Sequence, residues 1–346
     1  MSAAVANVEH AASLPSPGVA VVAVAGARRG PPLEAGADAG ADGAARVPLR
    51  AHTAKRTRRA LARPEDGRAM IKMPPLRGHT CKGRLRLVDG YLRRRGGAGA
   101  ARTVAVDVGF GDEPWTALEM AEWLPDGAVL YATDVVADRV ARAAKAHAAR
   151  RDDVRFVTSD ASFALPAPSP TLVRCANVLR DLHAWDAAAA LRTMHRQLAP
   201  GEGVLVDAST DATGHLACAL VLLAGVDACV SEVVFAVDAS ATAAGSPPSW
   251  FEAHLFPRAF AARAPAEHEH GGRAALLALL AAWRAVCSAD PLDAPAVDRF
   301  DRSARRLASS GLTPGAVAPA GVGLLVWRPA LPLRVPTYHP LLARRL

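Results

Sequence analysis

With 346 residues, the chain is long enough for one large or two small domains, since single cores usually stop growing near ~250–300 residues. Half of the residues are apolar (51%) and 21% are charged, which is ordinary for a soluble globular protein, and no apolar run approaches the ~20 residues that a membrane span needs. The net charge of +8 is carried by the two ends, because 101–330 contains more acidic than basic side chains.

The N-terminal part differs in composition from the rest of the chain. Residues 1–72 are rich in Ala, Gly, Pro and Arg and show no sustained periodicity, so we expect a disordered or targeting extension, or a gene-model artefact with the true start at Met70 or Met73. We expect 73–330 to form the folded domain and 331–346 a basic tail. Nucleic-acid phosphates are conceivable partners of the basic extension, but a solvated or targeting segment is favoured, and no membrane partner is expected.

Five cysteines are scattered without a C-x-x-C pair, which indicates a reducing compartment and argues against a disulfide framework or a zinc site. We therefore expect a cytoplasmic protein, or an organellar one if the extension is a transit segment. The pair His268-x-His270 is a weak metal motif because no third ligand is near it. We expect no metal.

The middle of the chain alternates short apolar runs with amphipathic stretches. The runs predict strands over 103–108, 128–134, 154–159, 171–178 and 203–208. The amphipathic stretches predict helices over 114–124, 137–150 and 185–198. Strands that alternate with helices of 10–15 residues are typical of right-handed βαβ units and a parallel sheet.

After residue 208 this alternation ends. The runs 216–223 and 232–237 are compatible with a strand or a buried helix, 273–289 and 295–309 indicate helices, and 321–327 indicates a last strand. We predict an α/β protein with a Rossmann-like, doubly wound and mostly parallel seven-stranded sheet. Its strand order is expected to be 3-2-1-4-5-7-6, with an antiparallel edge and extra C-terminal helices.

A glycine turn follows the first predicted strand, in Asp107-Val108-Gly109-Phe110-Gly111. Two glycines allow the backbone to approach a ligand closely, and the next helix offers unpaired N–H groups at its start. Pro114 stands where a dinucleotide fingerprint has its third glycine. This departure argues against a pyrophosphate ligand.

Two acidic residues follow the next two strands. Asp134 ends the second strand, where a carboxylate can accept both ribose hydroxyls of an adenosine; the alternative is a cap for the helix that follows. Asp160 comes just after the third strand and could accept from an adenine amine, or be an ordinary loop aspartate.

In this order, the glycine turn, the two acids and the L-x-P-G-x-G loop at 198–203 resemble the class I S-adenosylmethionine-dependent methyltransferases. The resemblance implies that Asp107, Gly109 and Gly111 surround the methionine part of S-adenosylmethionine, Asp134 the ribose and Asp160 the adenine. Three segments are similar to a little-characterised bacterial methyltransferase-like group, whose substrate the resemblance does not supply: 83–92, 107–124 and 172–182.

The end of the fourth strand lies beside the sulfonium in that arrangement. The polar candidates there are Arg174, Asn177, Arg180, Asp181 and His183. Asn177 is expected to contact the cofactor or accept from an amine nucleophile, and Asp181 or His183 to act as base; capping and surface salt bridges are the alternatives. Arg84, Arg86 and Asp89 precede the sheet and either cover the cofactor site or form a solvated helix face.

Three functions follow from this reading. The first is a methyltransferase whose acceptor is a small molecule, RNA or protein and is not identified by the sequence. The second is an NAD(P)-dependent oxidoreductase, since Asp134 suits an adenosine ribose in either case. The third is a non-catalytic binding module with a degenerate methyltransferase fold.

Overall fold

The computed structural model describes residues 80–96, 103–147, 151–159, 162–167, 169–225, 227–243, 245–261, 271–287, 293–309, 315–317, 322–331 and 333–337. The extension 1–72, the tail beyond 337, Asp160 and the pair His268 and His270 lie outside these ranges. No helix in the described ranges is both long and apolar enough to cross a membrane.

Seven helices and ten strands are found in this part of the chain. The helices are α1 (Arg86–Arg95), α2 (Trp115–Trp123), α3 (Ala137–His147), α4 (Ala184–His195), α5 (Pro247–His254), α6 (Gly272–Cys287) and α7 (Ala296–Ser309). The strands are β1 (Val104–Val108), β2 (Val129–Asp134), β3 (Val154–Thr158), β4 (Leu172–Ala176), β5 (Val204–Thr210), β6 (Leu216–Leu223), β7 (Cys229–Asp238), β8 (Gly315–Val317), β9 (Val322–Trp327) and β10 (Leu333–Arg334).

All ten strands belong to one sheet of order β3-β2-β1-β4-β5-β6-β7-β9-β8, with β10 paired to β7. The strands β1 to β5 pair in parallel. The strands from β6 onward pair antiparallel, beginning with β6 on β5. One half of the sheet is therefore built from βαβ units and the other half from an antiparallel meander.

Helices cover both faces of the sheet. Neighbouring residues along a strand point to opposite faces and are therefore buried in two different hydrophobic cores. Val106 belongs to the core under α4 to α7, which includes an aromatic group. Ala105 belongs to the core under α1 to α3. The aromatic group consists of Phe235, Phe251, Trp283 and Phe300, with ring centroids 5.0–6.1 Å apart.

The predicted α/β, Rossmann-like fold class is confirmed, and the parallel order 3-2-1-4-5 is confirmed with it. The expected order beyond β5 is wrong, since β6 lies directly beside β5 and β7 follows it. The turn 211–215 that joins β5 to β6 is too short for a crossover past another strand, and it suits an antiparallel hairpin. Within the described ranges, the sheet also has ten strands rather than seven.

Candidate functional site

A cavity of about 450 Å³ opens over the carboxyl ends of β1, β2 and β4. The chain reverses its direction of travel across the sheet here, since β2 lies on one side of β1 and β4 on the other. In open α/β sheets, ligands bind at this switch point. The volume lies in the range of small-molecule sites, about 300–1,000 Å³.

The turn between β1 and α2 forms one wall of the cavity. Gly109 and Gly111 line it with φ of +78° and +86°, a region that favours glycine. A Cβ at Gly109 would lie 2.5 Å from Cγ2 of Val178, so the turn has no room for a side chain there. The N–H groups of Gly109 and Phe110 donate to the carbonyl of Thr133 at 2.8 and 3.0 Å, which fixes the turn against β2.

Asp134 is the last residue of β2, is 3% exposed and lines the cavity. Its Oδ2 accepts from the Gly111 N–H and its Oδ1 from the Val136 N–H, both at 2.9 Å. Arg139 lies 3.5 Å from Oδ1 and pairs with Asp112 at 2.7 Å. A carboxylate has about four acceptor positions, so Asp134 can hold this entry into α3 and still accept from hydroxyl groups of a ligand.

Asn177 follows β4 with φ of +61°, a backbone region that is costly for a residue with a side chain. Its Oδ1 accepts from the Thr210 N–H at 2.9 Å, and its Nδ2 donates to Thr210 Oγ1 at 3.0 Å. One terminal nitrogen of Arg180 donates to Asn177 Oδ1 at 3.1 Å and to the Thr210 carbonyl at 2.8 Å. The amide of Asn177 thus joins the ends of β4 and β5 and positions Arg180.

A second arginine reaches the same place from the N-terminal side. Arg84 Nε donates to Thr210 Oγ1 at 3.3 Å, and both Arg84 and Arg180 line the cavity. Burial lowers the pKa of Arg84, and the positive charge of Arg180 lowers it further. The cavity therefore carries two guanidinium groups at its β5 end.

The segment 80–85 lies at the cavity and is held in place on both sides. The Gly83 N–H donates to Glu119 Oε1 on α2 at 2.6 Å. Arg86, the first residue of α1, donates to Asp238 Oδ2 at the end of β7 from two nitrogens, at 2.9 and 2.8 Å. Arg84, which was expected either to cover the cofactor site or to lie on a solvated helix face, lines the cavity.

A buried ion group lies behind the glycine turn. Arg174 on β4 is 0% exposed, and its Nε donates to Asp107 Oδ1 at 2.9 Å. Its two terminal nitrogens donate to Asp89 Oδ1 at 2.5 Å and to the Thr116 carbonyl at 2.7 Å. Burial alone would lower the pKa of Arg174, but the two carboxylates outweigh it and the pKa is raised. This group ties α1, β1, α2 and β4 together.

The structure brings most of the predicted cofactor residues together and leaves others apart. Four of them line the cavity: Gly109, Gly111, Asp134 and Asn177. Asp107 is not among the lining residues, since its carboxylate faces Arg174 on the α1–α3 side of the sheet. Asp160 lies outside the described residues.

The predicted catalytic residues are also divided. Asn177 and Asp181 line the cavity, and Asp181 is exposed. His183 does not line it: it precedes α4, and its ring stacks on Trp185 with centroids 4.9 Å apart. The chain turns away from the cavity after Asp181 because Leu182 is buried in the core.

Phe163 and Arg139 are among the residues of the site that were not found from the sequence. Phe163 is 5% exposed and lines the cavity from the loop after β3 with φ of +59°; an apolar residue in a loop rich in Ala and Pro gives no signal. Arg139 was detectable, because it follows Asp134 by five residues on the helix after the second strand.

Fold and site together define an α/β protein of the Rossmann-like class, with a small-molecule cavity at the switch point of its sheet. No group of three or more His, Cys, Asp or Glu side chains in the described ranges could hold a metal ion. None of the five cysteines, all of which lie in the described ranges, forms a disulfide bond.

No protein-family model matches the sequence, and no curated protein matches it significantly. Among solved structures, the chain is similar to a provisionally assigned S-adenosylmethionine-dependent methyltransferase from Methanococcus maripaludis, with 20% identity over 37% of this chain and 55% of that chain and a TM-score of 0.31. The cyclase SpnF is 23% identical over 35% of this chain and 44% of its own, with a TM-score of 0.29.

The N-methyltransferase NodS from Bradyrhizobium japonicum, solved with S-adenosyl-L-homocysteine, is 22% identical over 37% of this chain and 62% of its own, with a TM-score of 0.30. This chain thus spans less than two thirds of the length of each of these three structures. At such TM-scores, the likeness does not indicate what this chain does.

Proposed function

We propose that this protein is an S-adenosylmethionine-dependent methyltransferase. The observation that carries the proposal is the meeting of the glycine turn and Asp134 at the switch-point cavity, where Gly111 and Asp134 are hydrogen-bonded at 2.9 Å. A buried carboxylate at the end of the second strand suits the two hydroxyls of a ribose. This proposal concerns the methyl donor and does not name the acceptor.

The residues present fit an adenosyl group. Asp134 keeps acceptor positions for the ribose hydroxyls. Gly109 has no side chain, which leaves room for Val178 beside the turn. Phe163 and Pro166 add apolar surface on the β3 side of the cavity, where an adenine ring would pack. Asp107 acts at a distance in this proposal, by fixing β1 to Arg174.

When bound, S-adenosylmethionine supplies a methyl group on a sulfonium sulfur: the lone pair of the acceptor bonds to the methyl carbon, the carbon–sulfur pair stays on sulfur, and S-adenosylhomocysteine leaves. The chain's main contribution is to hold the acceptor at ~3–3.5 Å and in line. Asn177 and Asp181 line the cavity on that side. Asp181 can accept a proton if the nucleophile must lose one.

A specific feature disfavours a nicotinamide cofactor. Pro114 precedes α2 at the position where a dinucleotide site has its third glycine, and that glycine gives the close helix-to-strand approach that a pyrophosphate requires. The turn between β1 and α2 therefore lacks the third glycine that an NAD(P)-dependent oxidoreductase would need.

The experiment is a calorimetric titration of the full chain with S-adenosylhomocysteine, S-adenosylmethionine and NADPH. We expect both sulfur compounds to bind, and Asp134→Asn to weaken them tenfold or more, since a hydrogen bond to a charged acceptor contributes about 1.5–3 kcal/mol. The matched control is Asp153→Asn, a carboxylate beside Arg151 at the amino end of β3, which should leave binding unchanged.

Two results would contradict the proposal. Binding of NADPH but not of S-adenosylhomocysteine would favour the oxidoreductase. A folded protein that binds neither would favour a non-catalytic module.

A further inference from the structure

A gap separates the guanidinium of Arg139 from the carboxylate of Asp134. One terminal nitrogen of Arg139 lies 3.5 Å from Asp134 Oδ1, whereas an N–H···O hydrogen bond measures about 2.7–3.2 Å. Both residues line the cavity, and the side chain of Arg139 is only 11% exposed. The two charges therefore attract each other across the cavity wall without closing to a hydrogen bond.

The hydrogen bonds of Asp134 are divided evenly between its two oxygens. In the described part of the chain, Oδ1 accepts from the Val136 N–H and Oδ2 from the Gly111 N–H, both at 2.9 Å. A carboxylate has about four acceptor positions, so each oxygen keeps one for a ligand. The two positions match the two hydroxyl hydrogens of a ribose.

A hydroxyl group needs a donor as well as an acceptor. An ionised carboxylate only accepts, so Asp134 leaves the hydroxyl oxygens without a donor, and an acceptor buried in that state is unfavourable. The second terminal nitrogen of Arg139 faces Asp112 at 2.7 Å, while the first faces Asp134. Because an oxygen can lie about 2.8 Å from each of two atoms that are 3.5 Å apart, one hydroxyl can bond to Arg139 and to Asp134 Oδ1 at once.

We propose that Arg139 and Asp134 together bind one ribose hydroxyl of S-adenosylmethionine. Arg139 donates to the hydroxyl oxygen from the terminal nitrogen that faces Asp134, and Asp134 Oδ1 accepts the hydroxyl hydrogen. Asp134 Oδ2 accepts from the other hydroxyl, which Arg139 does not contact. Arg139 is thereby a specificity residue that reads one of the two hydroxyls. This inference rests on the proposed function, which assigns the ribose to Asp134 but names no donor for the hydroxyl oxygens.

The test is a calorimetric titration of the full chain with S-adenosylhomocysteine and with its 2′-deoxy and 3′-deoxy analogues. Loss of either hydroxyl should weaken binding to the wild type by about tenfold or more, since each hydroxyl bonds to a charged group. In Arg139→Met, the penalty for losing one of the two hydroxyls should be smaller than in the wild type by at least about fivefold, while the penalty for the other stays within about twofold.

Two control variants separate this role from a structural one. Arg142→Met removes an exposed arginine one turn further along α3 and should change neither penalty. Asp112→Asn removes the ion-pair partner of Arg139 and should also leave both penalties unchanged, because Arg139 keeps its donors.

Circular dichroism checks the fold of each variant, and Arg139→Lys, which keeps the charge without the planar fork, should give an intermediate penalty if the methionine variant does not fold. Equal penalties in the wild type and Arg139→Met overturn the inference, as does a wild type that binds both analogues as tightly as S-adenosylhomocysteine. An equal fall of both penalties in Arg139→Met, or the same fall in Asp112→Asn, also overturns it, since Arg139 would then act only by holding the walls of the cavity. Failure of the wild type to bind S-adenosylhomocysteine overturns the proposed function itself, whatever the variants show.

Discussion

Replacing Arg174 by methionine removes the only positive charge of a group that lies fully inside the protein. Arg174 is 0% exposed and donates to Asp107 and Asp89 at 2.9 and 2.5 Å. Its loss leaves two carboxylates without a counter-charge in an apolar interior. Removing one partner from a buried ion pair costs about 3–5 kcal/mol, and we expect Arg174→Met to lower the free energy of unfolding by that amount at pH 7.5.

The same variant should depend on pH in a defined direction. Burial already raises the pKa of Asp89 from its ordinary value of 3.8, in spite of Arg174. A carboxyl whose pKa is higher in the folded state binds a proton on folding, so its unfavourable contribution is smaller at low pH and grows as the pH rises through the folded value. The loss in Arg174→Met should therefore be smaller at pH 5.0 than at pH 7.5.

Urea unfolding followed by circular dichroism measures both effects, with an unchanged m-value as the check on two-state behaviour. A triple variant with Arg174→Met, Asp89→Asn and Asp107→Asn buries no charge and should recover at least half of the loss. Arg151→Met breaks a surface pair with Asp153 and should cost no more than about 1 kcal/mol. A loss below about 1 kcal/mol in Arg174→Met, or an equal loss at both pH values, would refute the reasoning.

Two further outcomes follow from single residues. Gly109→Ala should raise the Kd for S-adenosylhomocysteine at least tenfold, because the new methyl group would meet Val178 at 2.5 Å. Gly127→Ala is the control, since Gly127 has a similar positive φ but open space around the new methyl group. Equal Kd values for the two variants in calorimetry would contradict this prediction. Burial raises the pKa of Asp207 from 3.8 to about 7, so this carboxyl should make a contribution to stability that falls as the pH rises from about 4 to about 7. Asp207→Asn should reduce that slope in urea unfolding, and an unchanged slope would show that this carboxyl does not cause it.

The parallel half of the fold could be predicted because its signals are local. Each strand from β1 to β5 is a short apolar run, a helix follows β1, β2 and β4, and short connections then restrict the topology. β6 was left open between strand and helix because six of its eight residues are buried, and a strand buried on both faces has no alternating pattern.

The site was predictable where it depends on strand ends. Gly109, Gly111 and Asp134 are brought together because the carboxyl ends of parallel strands meet at one edge of the sheet. The role of Asp107 was not predictable, since its partner Arg174 is 67 residues away. A charged residue inside an apolar strand, as Arg174 is, indicates a buried counter-charge but does not name it.

The most direct test of the central claim is a crystal structure of the full chain with S-adenosylhomocysteine. The account predicts the ligand in the cavity over β1, β2 and β4, with its ribose hydroxyls within about 3.2 Å of the Asp134 carboxylate. S-adenosylhomocysteine bound elsewhere, or in this cavity with its ribose away from Asp134, would contradict it.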